Sequence, residues 1–198
     1  MPDFEDEVTE VRRMTAVAEE HVGPWTVDEL LDLPEDRQQR HELVDGTLLM
    51  SPAPGYAHQL AASLLWHAFY AVAPADLGVY EAVNVQTGSS RLFIPDVAVV
   101  RRPSAGTKVL PASEVLLVAE VVSPSSVAID RTLKPALYAA AGIPFYLRVE
   151  LGGPVLVMHE LVGEVYREVA TAKSGEELRL ESPFPLSIDP DSLLDVRG

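Results

Sequence analysis

The sequence predicts an α/β (α+β) domain: a mixed β-sheet flanked by helices, with an antiparallel meander towards its C-terminal end. Three observations carry this. Val115–Val122 is an apolar run broken only by Glu120, the pattern of a strand buried on both faces. A helical stretch and then a second apolar run, Ile143–Leu151, follow it, which is the order of a right-handed βαβ unit with parallel strands. Downstream, Val155–Leu161, Val165–Ala172 and Leu178–Leu180 alternate like meander strands between turn signals.

The 198 residues give room for one domain with a sizeable core, and 47% hydrophobic with 23% charged residues is an ordinary globular balance. Residues 1–23 are acidic and weakly patterned, which predicts a mobile N-terminal tail ahead of a single domain over 24–198. No apolar run is long enough to span a membrane, and the acidic N-terminus is unlike a signal peptide, so a cytoplasmic protein is expected. The absence of cysteine rules out disulfides and thiolate zinc sites. The five histidines form no HxH or HxxxH pair, which argues against a histidine-rich metal site. A net charge of −15 argues against tight, nonspecific binding to nucleic acid, because neutralising phosphates normally needs a basic face.

The elements follow in order. Thr26 reads as an N-cap with Glu29 completing a capping box, and Leu30 and Leu31 are expected to be buried in the short helix behind it. His41–Val44 and Thr47–Met50 flank Asp45-Gly46, a pair that accepts the positive φ angles of a type I′ hairpin turn. A helix is predicted from about Ala57 to Val72, with Leu60, Leu64, Leu65, Ala68 and Val72 at helical spacing and Pro74 beyond its end. His58 and His67 on that helix read as surface or edge histidines. Two strands, Gly78–Gln86 and Arg91–Arg101, come next, the second interrupted by Pro95-Asp96, and Pro103–Pro111 reads as a loop. After the strand 115–122, Ser123-Pro124-Ser125-Ser126 is a terminator. Pro135 fits only a first helical turn, so the following helix should start near Asp130–Thr132 and end at Gly142.

Three acids fall inside strands: Glu42, Asp96 and Glu120. Each has a plain reading, with Glu42 on a solvated hairpin face and Asp96 as a turn acid bonded to nearby backbone N–H groups. Glu120 is hardest to read that way, since an ionised carboxylate among apolar neighbours needs a cationic partner. Asp96 and Glu120 on neighbouring strands, with the backbone carbonyl of Val121, would give Mg²⁺ hard oxygen ligands, and Glu42 could add a further carboxylate. A lysine beside such a site would orient the attacking water and stabilise developing charge.

Five ordered segments carry a family resemblance: His41-Glu42-Leu43-Val44-Asp45-Gly46; Ser51-Pro52-Ala53-Pro54 with His58; Ile94-Pro95-Asp96-Val97-Ala98; Val118–Ser126; and Asp130…Lys134…Tyr138-Ala139 with Gly142-Ile143-Pro144. Over roughly residues 24–190 the chain resembles the Uma-type restriction endonucleases, bacterial members of the PD-(D/E)xK nuclease superfamily. The resemblance implies a restriction-endonuclease-like fold, metal-binding acids at Asp96 and Glu120 and an accessory acid at Glu42. The superfamily pattern expects lysine two residues after Glu120, where Val122 stands. In the family the lysine has moved to the next helix, which assigns that role to Lys134; its plain reading is a solvated helix lysine or an i−4 partner for Asp130. Phe145 and Leu147 also depart from the polar residue and tryptophan common in the family.

The reading that follows is a Mg²⁺-dependent DNA endonuclease, with Mn²⁺ as a substitute ion. Its catalytic set is Glu42, Asp96, Glu120 and Lys134, and its metal ligands are Asp96, Glu120, Val121 and Glu42. Binding to DNA should be weak or structure-specific, a homodimer is expected, and no membrane is involved. The alternative is a nuclease-fold binding or regulatory protein with little turnover.

Overall fold

A computed structural model describes residues 21–34, 39–101, 106–123 and 129–194. The expected tail lies outside these residues up to position 20, as do positions 124–126 of the terminator after the strand 115–122. Along the chain run α1 (Val27–Leu31), β1 (Gln39–Val44), β2 (Thr47–Pro52), α2 (Tyr56–Val72), β3 (Leu77–Glu81), β4 (Asn84–Gly88), β5 (Arg91–Phe93) and β6 (Val97–Arg101). They continue with β7 (Val109–Pro111), β8 (Val115–Val122), a π-helical turn (Ile129–Leu133) that runs into α3 (Lys134–Ala140), and β9 (Phe145–Glu150). β10 (Val155–Val162), β11 (Val165–Lys173), β12 (Leu178–Leu180) and β13 (Leu186–Ile188) complete the series. The described residues group into two units: one takes those up to Ala53 with Gly88–Phe93, the other Pro54–Thr87 and those from Ile94 onward.

In the first unit the Thr26 hydroxyl accepts from the Glu29 amide at 3.2 Å, and the Glu29 carboxylate accepts from the Thr26 amide at 2.8 Å. This is the predicted capping box. Leu30 is buried, but Leu31 faces solvent, because five residues of helix bury only one side. β1 and β2 pair in the predicted hairpin, Val44 opposite Thr47, and Asp45 and Gly46 take φ of 49° and 80°. β5 lies on the other edge of β1, with Leu43 opposite Leu92.

The second unit is organised by a six-stranded sheet in the order β11-β10-β9-β8-β6-β3. Only β8 and β9 are parallel; the other neighbours are antiparallel. Alternation along the strands sends Leu117, Ala119 and Val121 of β8, with Phe145, Leu147 and Val149 of β9, into one core with Ala61, Ala62, Leu65 and Phe69 of α2. Tyr146, Arg148 and Glu150 therefore project from the opposite face, as does Glu120, whose register partner is Arg148. The inner face of α2 uses Phe69 rather than Val72, which is exposed at the helix end.

Four expectations about strands need correction. The strand Gly78–Gln86 is broken after Glu81, where Ala82 turns to φ 50° and donates its amide to the Asp96 carbonyl at 3.2 Å. The strand Arg91–Arg101 is divided at Ile94-Pro95-Asp96, since proline has no N–H to continue the ladder. β5 then pairs with β1, and β6 with β3 and β8. Within the expected loop 103–111, of which residues from 106 onward are described, Val109–Pro111 form β7, parallel to β4 with Asn84 opposite Val109. At the C-terminal end β12 leaves the meander to pair with β13, a strand too short to show periodicity in the sequence. No helix among the described residues is long and apolar enough to cross a membrane.

Candidate active site

The site forms in the second unit, where β8 ends. Glu120 sits two residues before that end and is 2% exposed, with Ala119 and Val121 beside it in the sheet. An ionised carboxylate there must be met by donors. Lys134, the first residue of α3, brings its Nζ to 3.1 Å from Glu120 Oε1. Tyr138, one helical turn further on, donates its hydroxyl to the same oxygen at 2.7 Å. Spacing of i, i+4 places the two side chains on one stripe of the helix, so a single helix face supplies both donors.

Asp96 approaches from the break before β6. Its Oδ2 accepts the Val121 amide at 2.9 Å, a bond between a buried carboxylate and the residue next to Glu120. Val97 opposite Ala119 in the β6–β8 register sets that approach. The turn-acid reading of Asp96 was thus partly sound, since the side chain does accept a backbone N–H, but from a different strand. Val121 enters the site through this amide. His58, in the first turn of α2, stands with Nε2 3.2 Å from the same Asp96 oxygen. The expectation of a surface histidine holds for His67, which is exposed, and fails for His58, which is largely buried against Asp96.

Asp130, buried in the π-helical turn, lies with Oδ1 3.8 Å from Lys134 Nζ, so the i−4 pairing is present together with the Glu120 contact. The Asp130 carbonyl accepts the Tyr146 hydroxyl at 2.6 Å. Burial, then the nearby charges of Glu120 and Asp130, push the Tyr146 phenol far above its ordinary pKa, so it stays a neutral donor. Tyr146 pins the turn from which Lys134 reaches inward.

Asp96, Glu120 and Lys134 are therefore assembled in one place, with Val121 between the two acids. Glu42 belongs to the first unit, where it is buried on β1, so the solvated reading of that residue does not hold. Among the described residues no three His, Cys, Asp or Glu side chains group into a ready metal site. The donor set that fits a divalent cation is Asp96 and Glu120 with backbone oxygen, all hard oxygen ligands of the kind Mg²⁺ prefers.

Sequence reasoning named His58 and Tyr138 within the family segments but gave neither a role in the site, and it left out Arg131 and Arg148. A cavity of about 780 Å³ opens beside His58 and is lined by Arg131, Arg148, Glu150, Val122 and Ser123 among others. It lies where β8 and β9 end, the carboxyl edge of the parallel pair in the six-stranded sheet, which is where open sheets of this kind hold their ligands. Arg131 makes a two-pronged contact with Glu150, Nε to Oε1 at 2.9 Å and Nη2 to Oε2 at 2.8 Å.

A search of curated proteins found no significant match. Among solved structures, the chain is similar to a crystal structure described as a "putative nuclease belonging to DUF820" from Anabaena variabilis ATCC 29413. The two are 18% identical, with a TM-score of 0.65 over 86% of this chain and 97% of that one, a likeness of fold. It agrees with the expected restriction-endonuclease-like architecture of mixed sheet and flanking helices. A family model described as "Putative restriction endonuclease" matches residues 27–197, nearly the whole described chain and all of the site residues named above; the chain belongs to the Uma2 family.

Proposed function

We propose that this chain is a nuclease of the PD-(D/E)xK type that hydrolyses DNA phosphodiester bonds with Mg²⁺, for which Mn²⁺ can substitute. The observation that carries the reading is the gathering of buried acids at the end of β8. Asp96, Glu120 and Asp130 are all buried there, Glu120 and Asp130 both reach the Lys134 ammonium, and Asp96 accepts the Val121 amide. A divalent cation held by Asp96, Glu120 and the Val121 carbonyl would offset the charge of these carboxylates. When bound, the ion supplies Lewis-acid polarisation of the phosphoryl group and a more acidic water.

The chain's own residues do the rest. Tyr138 and Lys134 fix the rotamer of Glu120 by bonding one of its oxygens, and the Val121 amide does the same for Asp96. Lys134 stands on the helix instead of the strand and brings its Nζ to within 3.1 Å of the Glu120 carboxylate. There it orients the attacking water and stabilises charge developing on the phosphoryl oxygens. His58 completes the wall around Asp96 on the side of the cavity.

The test is nicking of supercoiled DNA by purified protein in Mg²⁺ or Mn²⁺. Asp96→Ala and Lys134→Ala should each abolish it while thermal melts report a folded chain; activity retained by both would end this assignment. A second reading, a nuclease-fold binding protein without turnover, is favoured by the −15 charge and by the engagement of Lys134 with two acids. Calorimetry separates the two, since metal binding without nicking supports the second.

A further inference from the structure

The cavity beside His58 holds two arginines, Arg131 and Arg148. Arg148 and Glu150 are two apart on β9 and so share a face of the strand, and Arg131 reaches the same carboxylate from the π-helical turn. Arg148 Nε lies 3.1 Å from Glu150 Oε1 as an ion pair without the alignment of a hydrogen bond, and Arg131 bonds both oxygens of the same carboxylate. Two guanidinium groups thus share one carboxylate. This leaves a local positive charge in a chain of net −15, at the mouth of a cavity of about 780 Å³. Arg131 engages Glu150 through Nε and Nη2, and Arg148 Nε makes no hydrogen bond among the described residues, so the two guanidinium groups have Nη donors beyond these contacts to offer a ligand. His58 lines the same cavity and touches Asp96, so whatever fills the cavity sits next to the acids.

We propose that this cavity seats a backbone phosphate of the nucleic-acid strand, the one adjoining the bond that is cut, gripped by Arg131 and Arg148. The inference rests on the hydrolytic reading of the neighbouring acids for its placement next to a scissile bond. Glu150 acts as the internal stand-in for that phosphate: it holds both guanidinium groups in position and weakens their hold on a competitor anion. The arrangement accounts for how so acidic a protein engages a polyanion, through a local arginine pair instead of a basic face.

The experiment measures binding of a fluorescein-labelled oligonucleotide, single- and double-stranded, by anisotropy in EDTA over a salt series, so that no cleavage is involved. Arg131→Gln and Arg148→Gln should each weaken binding about tenfold, the scale of a charge-assisted hydrogen bond. Each should also lower the slope of log K against log salt by about 0.7–0.9, one phosphate contact. Glu150→Gln should act in the opposite sense and tighten binding, which a merely structural role for this residue does not predict. Arg167→Gln, an equal charge change at an exposed site on β11, should leave affinity and slope unchanged.

Wild-type slope and affinity in both cavity-arginine variants, or no oligonucleotide binding by the wild-type chain, overturns the proposal. Arg131 is half exposed, so its variant decides the matter even if Glu150→Gln fails to fold. Binding that depends on the arginines in a protein that never nicks DNA would sustain this site and sink the hydrolytic reading. Nicking with unchanged KM and salt slope in the arginine variants would do the reverse.

Discussion

Glu120 and Lys134 hold each other in a place where water solvates neither, with side chains 3% and 7% exposed. Removing one partner of such a pair leaves an uncompensated charge, whereas removing both can be nearly neutral. Lys134→Met should therefore destabilise the fold by about 3–5 kcal/mol in urea denaturation. Adding Glu120→Gln should restore part of that loss, since Asp130 still loses the same ammonium, and no recovery in the double variant would refute the coupling. Tyr138→Phe keeps the ring and deletes only the donor, so about 1.5–3 kcal/mol is expected, the worth of a hydrogen bond to a charged group. The charged members of the site were legible in the sequence because each is an anomaly in an apolar run or follows from the spacing of a motif. Tyr138 was not, because a tyrosine on the inner stripe of a helix reads equally well as packing. His58 was not, because its contact with Asp96 depends on where α2 begins relative to a break in a distant strand. Arg148 was hidden by the alternation of β9, which gives its face but not what lies across it.

Local chemistry decides which elements could be anticipated. The capping box at Thr26, the hairpin turn at Asp45-Gly46 and the helix stop at Gly142 are each specified by two or three adjacent residues. The partition of β5 and β6 between different partners, and the departure of β12 towards β13, depend on long-range pairing that no short window contains. The start of α3 shows the boundary between the two cases. Pro135 correctly excludes a long regular helix upstream, but the π-helical turn over Ile129–Leu133 depends on Tyr146 holding the Asp130 carbonyl. The two turn glycines give a clean comparison. Gly142 has φ 78° with open space where a Cβ would stand, so Gly142→Ala carries only the left-handed penalty of about 1–2 kcal/mol. Gly46 has nearly the same φ, 80°, but a Cβ there would meet Pro24 Cβ at 2.6 Å. Gly46→Ala should lower the melting temperature clearly more than Gly142→Ala, and equal shifts would show that the contact with Pro24 relaxes freely.

Charge governs how the whole molecule responds to its surroundings. The excess of acids is concentrated towards both ends of the sequence, and it favours solubility and repels polyanions at long range without specifying the fold. The same acids dominate any acid titration, so a single linked group is best isolated by difference. His159 on β10 is suited to this. Its Nδ1 lies 3.3 Å from the Tyr146 carbonyl, and its ring packs against Tyr146 and Tyr166 with centroids 5.6 and 6.4 Å away. Burial pushes its pKa below the ordinary imidazole value and outweighs the opposing pull of the Tyr146 carbonyl. In the unfolded chain the imidazole takes up a proton at about pH 6.5, while in the folded chain it stays neutral to lower pH. Unfolding therefore binds a proton in that window, and stability linked to His159 is fully present above it and lost as pH falls through the depressed folded value. His159→Phe keeps an aromatic ring beside Tyr146 and Tyr166 and removes the titration. Urea midpoints of wild type and variant, compared from pH 7.5 down to pH 5, should shift in favour of the variant as acid is added. A difference that stays constant over that range would mean that His159 contributes no proton linkage to the stability of this sheet.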